Sequence, residues 1–492
     1  MVKVNGHFCN GGLASSLHQL PVLPSYPTNS LEFLRTLQPQ AENIVTQSAV
    51  ALNIIIVGAG LGGLATACAL ARRGHHVTVY EQANQLGEVG AGIQMPPNSA
   101  RLLLRWGLGE FLQGKVVEPT SVKFRRWQNG AEIGCTRLFP DHRQKFNAPY
   151  YVVHRAHFHD ALYRLALKLG AEVEIDAKVR EYDPETPSIT LANGRIHTAD
   201  LVVAADGEQT LHSALLMLII GTGIKSIARK LVVGDDIPPR KTGFAAYRAT
   251  VDVDKIKADP DIAWIVEHPN INLWIGNGRH AMTYPIASGK SFNMVLSHPQ
   301  SDNDSTNSLP EILEEMRRHF KGWDERLSRI ISLIHTTLKW PLYNLPRIST
   351  YLHLSSKLIL LGDGAHAMLP YMSQGAAMAI EDGAALAHAL HLATSRKEID
   401  KMLRIWDNTR VQRCSQMQEA SSINGTLWHF QDGPEQEARD AAMRWEVADE
   451  ESSDLSQAGS SPNQWSDLLT STWCFGYDAE QEIQRQVQFS VP

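Results

Sequence analysis

"NIIIVGAGLGGLATACALARRGHHVTVYEQ", residues 53–82, decides the fold. Asn53 to Val57 is a short β-branched run, the composition of a strand buried in a parallel sheet. Gly58-Ala59-Gly60-Leu61-Gly62-Gly63 follows and fits G-x-G-x-x-G. Leu64 to Arg73 reads as a helix stopped by Gly74, and Val77 to Tyr80 as a second strand ending at Glu81. Each glycine has its own task in such a turn. Gly58 makes the tight bend, Gly60 lets a pyrophosphate approach the backbone, and Gly63 lets the helix pack closely on the strand. The helix N-terminus offers free amides and a positive dipole end to the phosphates. Glu81, about 20 residues beyond, can accept hydrogen bonds from both ribose hydroxyls and disfavours a 2′-phosphate. The motif alone is a weak signal. Set between two strands, with an acid at that distance, it predicts a Rossmann-type dinucleotide site.

A second segment, "KLILLGDGAHAMLPYMSQGAAMAIEDGAALAHAL" at residues 357–390, narrows the dinucleotide. Leu358 to Leu361 is another apolar strand. The following Gly362-Asp363-Gly364 superficially suggests another phosphate cradle, but Asp363 would repel a pyrophosphate in a poorly hydrated site. An acid at a strand end suits a neutral polyol such as a ribityl chain. Gly375 and Ala376 open an Ala-rich helix whose first amides can hold negative charge on the N1–C2 edge of a reduced isoalloxazine. One end of the ligand is ADP-like and the other ribityl-flavin-like, so the expected cofactor is FAD. No metal ligand set is expected.

The composition agrees with a soluble enzyme. The 492 residues allow two or three domains; 43% are hydrophobic and 20% charged. Net charge is −6, with the 46 basic and 52 acidic residues mixed along the chain, which argues against a nucleic-acid-binding face. Five scattered cysteines, odd in number and outside metal spacing, fit a reduced cytoplasmic protein. No apolar stretch approaches the roughly 18 residues of a membrane span. Residues 1–50 lack a continuous apolar core and read as a flexible extension. The expected organisation is α/β. A discontinuous Rossmann-like FAD-binding domain comprises 51–235 and 350–395, a mixed or antiparallel substrate sheet 236–349, and a C-terminal helical region 396–492. Within the sheet, "TGFAAYRATVD", "DIAWIVEH", "INLWIGN", "RHAMTYPIAS" and "SFNMVLSH" read as five strands. Residues 310–335 read as one amphipathic helix. No second βαβ unit is visible for a nicotinamide, which favours a reductant that visits the flavin briefly.

These motifs, with "VVHRAHFHDAL" (152–162) and the Asp206-Gly207 turn in the same order, resemble the class A flavoprotein monooxygenases, relatives of para-hydroxybenzoate and salicylate hydroxylases. "GEVGAGIQMPPNSARLLLRWGL", "WPLY" and "WCFGYDAE" are most similar to the fungal-type branch that oxidises phenolic polyketides in secondary metabolism. The resemblance covers residues 50 to 480. It implies an NAD(P)H- and O2-dependent hydroxylation of an electron-rich aromatic through a C4a-hydroperoxyflavin, with dearomatisation open. It implies that Arg155 and Asp206 contact the cofactor near its diphosphate or ribityl oxygens, and that Gly92 and Gln94 lie near the flavin or ribityl chain. It also supports Arg248 and Tyr284 as a substrate pair. Arg248 would pair with a phenolate and raise the ring's electron density, and Tyr284 would share the substrate oxygen. Tyr247 and His280 are rivals for these roles, and His366 reads as a packed neighbour of the flavin. The C-terminal "WCFGYDAE" is expected as a lid over the substrate side. A flavin oxidase or dehydrogenase of the same fold, or an impaired flavin-binding paralogue, stands as the alternative.

One stretch departs from the pattern. "AADG" (204–207) would join smoothly to "IKSIARKLV" (224–232) without the apolar Glu208–Gly223 between them. That excess reads either as an in-frame intron carried into the sequence or as a packed insertion, because exposed leucines forgo about 1.5–3 kcal/mol each relative to burial.

Overall fold

In a computed structural model, which describes residues 46–87, 91–207, 226–235, 237–300, 308–448 and 460–490, the strand Asn53–Val57 lies mid-sheet. It sits in a five-stranded sheet ordered Leu358–Leu360, Leu201–Ala204, Asn53–Val57, His76–Tyr80, Glu172–Glu174. Every pairing is parallel. Counted along the chain this is the 3-2-1-4-5 order of a doubly wound sheet, in which ligands sit beyond the carboxyl ends of the strands. The helix Leu61–Ala71 has ten of its eleven residues buried, so it has no solvent face. It is wedged between the sheet and the helices Arg155–Lys168 and Gly375–Leu392. Small residues permit the close approach: a Cβ on Gly383 would come within 2.4 Å of Thr66 Oγ1.

The turn that closes on the parallel sheet is dictated by sterics. Gly58 has φ +104°, and a Cβ there would meet Ala205 O at 2.6 Å. A Cβ on Gly63 would lie 2.0 Å from Gly58 O. A Cβ on Gly207 would overlap Gly364 N at 2.0 Å. Three turns distant in sequence, after residues 57, 204 and 361, are therefore pressed together at one sheet edge.

The second large sheet has seven strands, ordered Leu338–Asn344, Arg240–Asp252, Ser291–Pro299, Arg279–Ile286, Ile271–Gly276, Ser121–Arg126, Glu132–Arg137. It is antiparallel except where Ile271–Gly276 runs parallel to Ser121–Arg126. Two of its strands thus come from before residue 235. Period-two alternation splits its faces. Tyr247, Ala249, Ala281, Met294 and Leu296 join a separate core with Met316, Leu327 and Ile330 of the covering helices. Their neighbours Arg248, His280, Met282, Tyr284 and Val295 point the other way, into a cavity.

Three expectations are corrected. "DIAWIVEH" is a 3-10 turn, Ala263–Val266, not a strand. Asp259 O accepts from the amides of Ile262 and Ala263, and Ile262 and Ile265 are buried three residues apart, a helical rather than alternating spacing. Residues 310–335 form two helices, Leu309–His319 and Glu325–Ser332. Gly322 at φ +81° ends the first, and Asp324 caps the second through Arg326 N. The terminal segment is not a lid. Phe475 packs against His142, Phe146 and Tyr150, and Asp478 and Glu480 pair with Arg105, so Leu468–Phe475 and Ala479–Phe489 brace the back of the molecule. None of those residues lines the cavity. The questioned stretch Glu208–Gly223, like residues 1–45 of the extension, lies outside the described residues.

Candidate active site

A cavity of about 360 Å³ runs between the carboxyl edge of the parallel sheet and the inner face of the seven-stranded sheet. Gly58 and Gly60 line it where Asn53–Val57 ends, Glu81 where His76–Tyr80 ends, Asp206 after Leu201–Ala204, and Asp363 after Leu358–Leu360. Gly375 and Ala376 line it at the N-terminus of the 18-residue helix Gly375–Leu392. Arg155, at the first position of its helix, lines it too, with its amide donating to Ala91 O at 3.1 Å. Gly92 and Gln94 lie on the strand Gly92–Met95, and Arg248 and Tyr284 face them from the large sheet. Every expected site residue thus borders one space except Gly63, which packs beneath Gly58.

Two glycines report on what the space holds. Gly60 has φ −70°, open to any residue, and a Cβ there would have nothing within 4 Å. A Cβ on Gly375 would likewise meet nothing. Neither backbone nor packing requires glycine at either position. An occupant of the cavity would, and the two sites bracket where a pyrophosphate and a flavin ring belong. The polar lining suits the same ligand: carboxylates where hydroxyls are expected, a guanidinium and helix N-termini where anionic charge is expected. These residues fit FAD.

Glu81 also shapes the turn. Its Oε2 accepts from Ala59 N and its Oε1 from Ala83 N, both at 2.8 Å. Asp206 accepts from Tyr182 Oη at 2.5 Å. Burial pushes the Asp206 carboxyl up, with Tyr182 and Ser226 opposing. On the opposite wall, Tyr150 donates to Gln94 Oε1, while Gln94 Nε2 donates to Met282 Sδ at 3.0 Å. Asn293 Oδ1 accepts from Gly92 N at 2.5 Å. A Cβ on Gly92 would strike Tyr284 Cε2 at 2.5 Å, so glycine lets this strand seat against the substrate sheet. Burial holds the Tyr284 phenol well above its ordinary value, and Arg248 and Gln94 pull the other way. Arg248 and Tyr284 therefore share one electrostatic environment, and Tyr284 stays protonated.

Behind the Gly375 helix lies an ionic cluster that sequence reading missed. Arg410 donates to Asp382 Oδ1 and Glu381 Oε2, each at 2.8 Å, and Arg413 to Glu381 Oε1 at 3.2 Å, all buried. His366 Nε2 lies 2.6 Å from Asp382 Oδ2. Burial opposes its charge, but Cys414 and Asp382 raise His366 well above the usual histidine range, so it is an ion-pair partner rather than a base. His366, Asp382 and Cys414 also stand close enough to share a metal, but the ion pairs to Arg410 already account for the carboxylate. Asn98 Nδ2 ties the cluster to the cavity wall, donating to Glu381 Oε1 at 2.7 Å and to Gln374 Oε1 at 2.9 Å. The only sequence signal was a pair of acids, Glu381-Asp382, inside an otherwise apolar helix. Sequence reading also missed Lys178, Met282, Gln374 and Trp428, which line the cavity. A Cβ on Gly364 would sit at ordinary contact distance, 3.5 Å from Gly207 Cα.

A family profile described as an FAD binding domain matches residues 51–421. The chain is 33% identical over 430 residues to the FAD-dependent monooxygenase OpS4 of Beauveria bassiana (strain ARSEF 2860), covering 87% of this chain and 95% of that protein. It is 33% identical over 394 residues to 3-amino-4-hydroxybenzoate 2-monooxygenase PtnB3 of Streptomyces platensis, covering 79% and 92%. Among solved structures, a salicylate hydroxylase substrate complex superposes with a TM-score of 0.67 at 21% identity, over 89% of this chain and 98% of that one. CtdE in complex with FAD and substrate superposes with a TM-score of 0.69 at 21% identity, over 89% and 98%. These two share the fold. No helix among the described residues is long and apolar enough to cross a membrane.

Proposed function

The chain belongs to the FAD-dependent aromatic monooxygenases, and from that premise we propose that it uses NADH or NADPH and O2 to hydroxylate an electron-rich phenolic small molecule of polyketide type in secondary metabolism. One observation carries the reading. The cavity face of the seven-stranded sheet presents Arg248 and Tyr284 to the same space that the glycine turns, Glu81 and Asp363 border.

FAD, when bound, supplies the activation of dioxygen and delivery of one oxygen atom. The protein's own residues do the rest. The Gly58–Gly63 turn and the N-terminus of Leu61–Ala71 would hold the pyrophosphate, with Arg155 as a nearby cation. Glu81 would accept from a ribose, Asp363 from a ribityl chain, and Asp206 would serve the diphosphate end of the bound cofactor. Gly375 and Ala376 offer amides to negative charge on the ring. Gly92 and Gln94, seated against the large sheet through Asn293 and Met282, would set how near that sheet comes to the cofactor. Arg248 stabilises a phenolate, and a phenolate is the better carbon nucleophile. Tyr284, kept protonated by burial, donates a hydrogen bond to the substrate oxygen.

The test is a panel of phenolic aromatic acids and polyketide phenols supplied to FAD-loaded enzyme with NADH or NADPH. The expected result is a phenol that stimulates reductant oxidation and gains one oxygen. Reductant oxidation unmoved by every phenol would overturn the proposal.

A further inference from the structure

His280 sits on the strand Arg279–Ile286 two residues before Met282 and four before Tyr284, so all three side chains share the cavity face. It is buried, and Trp428 and Tyr371 meet it edge-on with ring centroids 5.2 Å away. Its Nδ1 lies 2.8 Å from Nε2 of His429. The two rings are nearly coplanar, 18° apart, with centroids at 5.1 Å. Such planes with so short an N···N contact place the rings edge to edge, in line through one hydrogen bond. His429 is half-buried, just past the helix Ile399–Trp428, and Phe244 stacks on it at 4.7 Å and 17°. One imidazole therefore borders the cavity, its partner reaches toward the surface, and aromatic rings hold both flat.

Resting on the phenol-hydroxylase reading, we propose that His280 and His429 form a two-imidazole proton path between the substrate's phenolic oxygen and solvent. The pocket needs such a path. The Arg248 guanidinium is a donor only, with no lone pair to take a proton, and the Tyr284 phenol is held protonated, so neither serves as the base for the proton a phenol must lose. The acids Glu81, Asp206 and Asp363 lie on the parallel-sheet side. Among the described residues that line the cavity, His280 is the imidazole on the substrate wall.

The proton count balances. The phenol O–H gives its proton to His280 Nε2, His280 Nδ1–H passes its proton to His429 Nε2, and His429 Nδ1–H releases one to water. Both rings stay neutral overall and end in the opposite tautomer. When the product phenolate is reprotonated, each transfer runs backwards and the pair resets without a ring flip. Neutral rings are what the surroundings favour. Burial and His429 hold His280 well below the ordinary histidine range, and burial and Arg439 lower His429 to about 3. Tyr371, itself raised to about 12 by burial, stays a neutral neighbour.

The experiment uses FAD-loaded wild type, His280→Gln, His429→Phe and His429→Ala. The probe is 4-hydroxy-3-nitrobenzoate, whose phenolate absorbs in the visible, mixed rapidly at a pH where the free probe is protonated. Wild type is expected to ionise the bound probe. His280→Gln and His429→Phe should retain FAD and bind the probe but ionise it on the order of 100-fold more slowly. Added imidazole should restore the rate in His429→Ala, which a purely structural role for His429 would not permit. A probe that stays protonated on wild type, or ionises equally fast on His429→Phe, overturns the path. Failure of wild type to hydroxylate any phenol would instead remove the oxygenase reading, because the ionisation signal needs neither O2 nor reductant.

Discussion

Gly60→Ala separates a glycine kept for the fold from a glycine kept for a ligand. At Gly60 the backbone, φ −70° and ψ −179°, suits alanine, and the new methyl would find no atom within 4 Å. A glycine replaced by alanine at a compatible conformation gains about 0.4–1 kcal/mol from the unfolded chain. Gly60 is also the N-cap of Leu61–Ala71, where alanine costs about as much. Net apoprotein stability should therefore change by less than about 1 kcal/mol. The methyl would project into the space a pyrophosphate needs, so FAD affinity should fall at least tenfold, about 1.4 kcal/mol. Gly63→Ala is the contrast: its methyl carbon would sit 2.0 Å from Gly58 O, and overpacking of that kind costs about 1–3 kcal/mol or more in the apoprotein itself. The assay is thermal unfolding of the apoproteins alongside FAD titration by flavin fluorescence. Gly60→Ala binding FAD like wild type, or losing apoprotein stability as Gly63→Ala does, would refute the reasoning.

Arg248→Ala should keep yellow, FAD-loaded protein but lose substrate-stimulated NAD(P)H oxidation; fully coupled turnover in that variant would remove Arg248 from the mechanism. Glu446 is buried among Ser461, Asn463 and Cys135 N, and burial lifts its carboxyl from 4.5 to about 7. A raised acid binds its proton more tightly when folded, so its contribution is complete below about pH 4.5 and is lost as pH rises through 7, roughly 3 kcal/mol in all. Glu446→Gln, which can donate to Ser461 and accept from Cys135 N, should flatten that slope and stabilise the protein at pH 8. Unfolding midpoints of the two proteins from pH 4.5 to 8 check it. Arg410→Met leaves Asp382 and Glu381 partly uncompensated at full burial, and should cost about 3–5 kcal/mol, seen as a lowered melting temperature with FAD content falling in step.

The parts legible in the sequence were those carried by contiguous residues. The turn after Asn53–Val57 announces itself because three glycines and an acid occupy fixed offsets within one strand-helix-strand unit. The strand in "TGFAAYRATVD" was legible, but it left Arg248 and Tyr247 as rivals; only the helices packed on one face of the sheet, which take Tyr247 into their core, leave Arg248 to the cavity. What stayed hidden depends on residues far apart. Nothing local says that Val122 pairs with Ile271, which carries Ser121–Arg126 into the substrate sheet. His280 and His429 lie in segments with no shared pattern, and only the hairpin before Arg279 and the end of a 30-residue helix bring their nitrogens to 2.8 Å. "WCFGYDAE" could have packed on either side of the molecule; the ion pairs from Asp478 and Glu480 to Arg105 decide for the back.

The fate of dioxygen tests the central claim most directly. With ¹⁸O2, NAD(P)H and a phenol that stimulates turnover, the product should carry one ¹⁸O atom by mass spectrometry, with little hydrogen peroxide released. Oxygen consumed as peroxide while the phenol remains unlabelled would mark a flavin oxidase on the same fold and contradict the account.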